Sequence, residues 1–101
     1  MIVKVDTAGV VGVEGLEVLD RFHVEASGLG MAEVVAVLEA VGAGTGHSAE
    51  QVAVEPEFLL AAASDASESW RRGFDGMLGY ARSKGWVNEA GALLAHVENL
   101  G

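Results

Sequence analysis

Two of the three histidines sit in the same triplet, His23-Val24-Glu25 in "FHVEA" and His96-Val97-Glu98 in "AHVEN". In an extended strand, side chains alternate with period two. His23 and Glu25 then share one face, and so do His96 and Glu98 if residues 92–98 are also a strand. On neighbouring strands, two imidazoles and two carboxylates form a nitrogen/oxygen donor set suited to Zn, Mn, Fe or Ni. The competing reading is a pair of solvated strand faces, where His and Glu are ordinary residues. A helix over 92–98 would turn His96 and Glu98 about 200° apart and break the set. His47, in "GTGHS", stands beside Ser48, but no acid at a telling spacing completes a triad. No catalytic residue is assigned, and a non-enzymatic role is favoured. "GAGTG" is rich in glycine but is not followed by the Lys of a phosphate loop, so it reads as a helix end and a loop.

A second concentration of chemistry lies in "SWRRGFDGMLGYARSKGW", residues 69–86. It holds both tryptophans, the single tyrosine and four of the six bases. Trp, Tyr and Arg dominate interface hot spots. Trp70, Arg71, Arg72, Phe74, Tyr80 and Trp86 are therefore the candidate partner-binding residues. The alternative is a core helix with a basic outer face. The chain carries a net charge of −9, which disfavours nucleic acid as a partner. Acids crowd the first two thirds, whereas bases balance acids between Asp65 and Lys84.

These residues need elements to place them. "IVKVD", 2–6, alternates as a short strand, and 7–17 reads as a loop or a bulged second strand. "LDRFHVEAS", 19–27, alternates with Phe22, Val24 and Ala26 on its buried side. Met31, Val34, Val35, Leu38 and Val41 form the stripe of an amphipathic helix within 28–46. "EQVAVEP", 50–56, is another strand ended by the only proline, which suits a first helical turn. Helix then continues over 57–64, and Asp65 with Glu68 suggests a capping box. The second helical stretch, 66–84, has Trp70, Phe74, Met77, Leu78 and Ala81 on one face and closes at Gly85. One long helix or two are both open. The spacing favours a turn over Asn88–Gly91 and a strand over 92–98 returning against Trp86 and Val87.

The expected fold is a single α+β domain over 1–101, a short mostly antiparallel sheet packed on two or three helices, with a mostly α fold as the alternative. Its core is built of small Ala and Val side chains with only six aromatic anchors, and such a core gains from added burial. The expected function is an interaction or assembly domain, a homodimer or a binder of a protein partner. The alternative is a metal- or small-ligand-binding protein using His23, Glu25, His96 and Glu98. No cofactor is required apart from that divalent metal. There are no cysteines, no apolar run long enough to span a membrane and no secretion signal, so the expected setting is the cytoplasm. The Ala/Val/Gly/Glu-rich, Lys-poor usage suggests a bacterium. The small size, the acidity and a tryptophan near a glycine give a partial resemblance to the helical proteins of actinobacterial type VII secretion, which carry Trp-x-Gly between two long helices. Here Trp70 is followed by Arg71, Arg72 and Gly73, and the first half is β-rich, so a secreted helical protein of that kind is the weakest alternative.

Overall fold

A computed structural model describes residues 1–63 and 67–99. In chain order the elements are β1 (Ile2–Val5), β2 (Val11–Glu14), β3 (His23–Ala26), α1 (Met31–Ala40), β4 (Gly44–Gly46), β5 (Gln51–Val54), α2 (Pro56–Ala62), α3 (Glu68–Ser83) and β6 (Leu93–Asn99). The strands form one mixed sheet in the order β2-β1-β3-β6-β5-β4. The outer ladders β1–β2, β5–β6 and β4–β5 are antiparallel, while β1–β3 and β3–β6 are parallel. This is the α+β class, and its six strands overturn both the mostly α alternative and the helical secretion-type reading.

β6 joins the two halves of the sheet. Residues 93–96 pair with β5, and residues 97–99 pair with β3. Beyond the reach of β3, the start of β6 bonds to the segment after α3 instead. Val87 bridges Leu93, and the Leu94 N–H donates to the Trp86 carbonyl at 2.8 Å. The Asn88 side chain accepts from Ala90 and Ala92, which forms the turn expected over Asn88–Gly91, and the strand expected over 92–98 is found at 93–99.

Alternation gives the sheet one dry face. Val3, Val5, Val24, Ala26, Val52, Val54, Leu93 and Ala95 are buried there, and the helices lay Val34, Leu38, Leu59, Phe74 and Ala81 against them. Each fully buried aliphatic or Phe side chain stabilises by roughly 1.5–3 kcal/mol, so this many small ones suffice for a modest core. The opposite face is left to Lys4, Glu14, His23, Glu25, Gln51, His96 and Glu98.

The helix ends follow local rules. Glu33 reaches back to the Gly30 N–H at 3.1 Å. At the end of α1, Gly42 takes a φ of 73° and donates to Glu39, while Ala43 donates to Leu38. α3 ends in the same way, with Gly85 donating to Arg82 and Trp86 to Ala81. These are Schellman closures, which use glycine because the left-handed turn disfavours a Cβ. α2 and α3 are separate helices. α3 begins at Glu68, and the Ser67 hydroxyl caps it by accepting from the Trp70 N–H. The Asp65 capping box falls outside the described residues.

Two expectations are corrected. "GAGTG" is more than a loop, because Gly44–Gly46 is the edge strand β4. The strand over 19–27 is shorter than its alternation suggested, since only 23–26 enter the sheet. Residues 15–22 instead form a strap held by the Met1 amine, which donates to the Val18 and Arg21 carbonyls at 2.8 Å each. Burial lowers the pKa of that amine, against the opposing pull of Glu17 and Asp20.

Candidate functional site

The strand order places the first His-Val-Glu triplet next to the second. β3 and β6 are parallel neighbours, with Glu25 directly opposite Glu98. His23 Nε2 lies 2.9 Å from Glu25 Oε2 and 3.8 Å from a Glu98 oxygen. One donor atom each from His23, Glu25 and Glu98 fall within 4.8 Å of one another. On the far side, Lys4 Nζ lies 3.8 Å from the other Glu25 oxygen, Oε1, and 3.5 Å from Glu14. Lys4 is the register partner of Glu25 on β1. It therefore steadies Glu25 from behind and leaves Oε2 turned toward His23. The side chains of His23 and Glu25 are 27% and 17% exposed, and that of Glu98 is 53% exposed. The trio is thus rooted in the sheet and open to solvent on one side.

His96 does not join the trio. It is exposed and pairs with Gln51 on β5. The β3–β6 register begins one residue beyond it, at Val24 opposite Val97. The His47 N–H donates to the Gln51 carbonyl at 3.2 Å and extends the same row past β5. Among the described residues, His23 is the histidine that meets two carboxylates. Lys4 was missed in the sequence because nothing local reveals which residue of β1 will face Glu25.

The partner-binding set divides. Phe74 is fully buried, and Trp70 stacks on it with ring centroids 5.0 Å apart. The Trp70 indole N–H donates to the Leu16 carbonyl at 2.7 Å. These two side chains hold α3 to the strap and the core. Arg71 and Arg72 are exposed. At the other end of α3, Tyr80 and Trp86 are 57% and 48% exposed and meet edge to face at 5.8 Å. Lys84 lies over the Tyr80 ring at 5.6 Å.

Beside this aromatic pair runs a cleft of about 470 Å³ between α3, the strap and the start of β6. Phe22, Met77, Tyr80, Trp86, Leu93 and Leu94 give it apolar walls, while Asp20 and Arg21 stand at its polar margin. Phe22, Leu93 and Leu94 were not in the sequence-derived set. They come from segments far apart in the chain, and only the docking of α3 brings them together.

Compared with known families, curated proteins and solved structures, the chain finds no match in any of the three. Among the described residues, no helix is long and apolar enough to cross a membrane.

Proposed function

We propose that this protein is a small non-enzymatic assembly domain that pairs with a second copy of itself through the cleft beside Tyr80 and Trp86. The observation that carries this reading is a pair of large aromatics, each about half exposed, edging an apolar cleft of about 470 Å³. Clusters of this type supply most of the binding energy of protein interfaces. The local charge balance at the cleft suits a second copy as the occupant. Two chains of net charge −9 repel over most of their surface. At the cleft, Arg21 on its margin and Lys84 over the Tyr80 ring offset Asp20, so two acidic copies can approach there with less repulsion than over the acidic remainder. A strongly basic partner would instead be drawn to the acidic remainder. The expected setting is the bacterial cytoplasm.

Native mass spectrometry and light scattering across a concentration series test this. The expected mass is twice the 10.4-kDa chain. Tyr80→Ser combined with Trp86→Ala should weaken the dimer at least about tenfold while circular dichroism stays unchanged, as loss of a hot spot does. Arg71→Glu, at the opposite end of α3, should leave the dimer intact. A monomer at every concentration, or a dimer indifferent to the double variant, would overturn the reading.

A further inference from the structure

We propose that His23, Glu25 and Glu98 form a binding site for a divalent first-row metal ion on the open face of the sheet, separate from the cleft. The spacing fits coordination. An ion held at about 2.1 Å by nitrogen and oxygen needs its ligands about 3.0 Å apart at octahedral corners and about 3.4 Å apart at tetrahedral ones. The two separations from His23 Nε2, 2.9 and 3.8 Å, bracket those edges. All three donor atoms lie within 4.8 Å of one another, close enough for side-chain rotation to bring them onto one ion.

Charge points the same way. Glu25 and Glu98 are direct cross-strand partners, a like-charge arrangement that destabilises a sheet. Among the described residues, Lys4 is the one fixed cation paired with either of them, and it is shared between Glu25 and Glu14. One ammonium therefore pairs with two carboxylates, and the third, Glu98, lies outside its ion pairs. Among the described residues, the ion-pair partner of Glu98 is His23. A divalent ion would neutralise the excess and tie β3 to β6 across the parallel ladder that unites the two halves of the sheet. Lys4 would hold Glu25 as an outer partner of a ligating carboxylate does, by occupying the oxygen that is not needed. One imidazole with two carboxylates suits Zn²⁺ or Mn²⁺ better than soft ions. The exposed side of Glu98 leaves corners free for water.

Titration of the chelator-treated full chain with Zn²⁺ alone, followed by calorimetry and native mass spectrometry, tests the site. One Zn²⁺ per chain is expected, with weaker binding at pH 5 than at pH 7.5 because the metal and the proton compete for the imidazole. Glu98→Gln is exposed enough to leave the fold intact and should weaken binding at least tenfold, as should His23→Gln. His47→Gln and His96→Gln should change it less than twofold. No uptake of Zn²⁺, or uptake that Glu98→Gln leaves unchanged, would overturn the site. So would binding lost in His47→Gln or His96→Gln but retained in His23→Gln.

Discussion

Trp70 has two attachments of different physical kind. Its ring stacks on Phe74, and its indole N–H donates to the Leu16 carbonyl in the strap. Trp70→Phe keeps an aromatic ring on Phe74 but removes the donor and part of the stacked ring. A partly buried carbonyl that loses its partner costs about 1–3 kcal/mol. The variant should therefore lose about that much stability in urea, with no change of oligomeric mass. A loss of dimer instead would mean that Trp70 serves the interface despite its inward-facing nitrogen. The residue types were readable in the sequence, which marked Trp70 as an anchor of α3. Whether it turned inward or outward depended on Leu16, fifty-four positions away.

At the scale of elements, what could be read depended on whether a pattern is local. The stripe of α3, the proline that opens α2, the turn after Asn88 and the return of β6 all rest on neighbours a few residues apart, and the sequence revealed them. β4 has no such pattern. Gly44-Thr45-Gly46 lacks apolar alternation, and it is a strand only because β5 lies alongside it. Its glycine is required by that approach, since a Cβ at Gly44 would collide with the Ala53 carbonyl. The pairing of the two His-Val-Glu triplets was partly legible. Each triplet could be placed on a strand face, whereas the adjacency of β3 and β6, and the exclusion of His96, come from strand order alone. Two glycines give a contrasting test. Gly44→Ala should destabilise by about 2–4 kcal/mol, because backbone has to move. Gly79 lies exposed within α3, and a Cβ there meets nothing within 4 Å. Gly79→Ala should stabilise by about 1 kcal/mol through helix propensity. Urea midpoints of the two variants on opposite sides of wild type would confirm the contrast; a neutral Gly44→Ala would mean that β4 does not hold its place on β5.

For the whole molecule, the sign of the charge decides how assembly responds to salt. The chain has 15 acids against six bases, so two copies carry like net charge. If they join at the apolar cleft, that repulsion opposes the contact and the burial of Tyr80 and Trp86 favours it. Raising ionic strength from about 0.05 to about 0.5 M shortens the screening length several-fold and weakens only the opposing term. The dimer should therefore tighten with salt, by a few-fold in the dissociation constant measured by sedimentation. Dimerisation driven by the bases of α3 against the acids of a neighbouring copy would respond in the opposite sense, because screening would remove its attraction. A dimer that falls apart as salt rises would move the interface from the cleft to the exposed Arg71 and Arg72. The Tyr80→Ser, Trp86→Ala variant would then keep the wild-type salt response, which separates an altered contact surface from a merely weakened one.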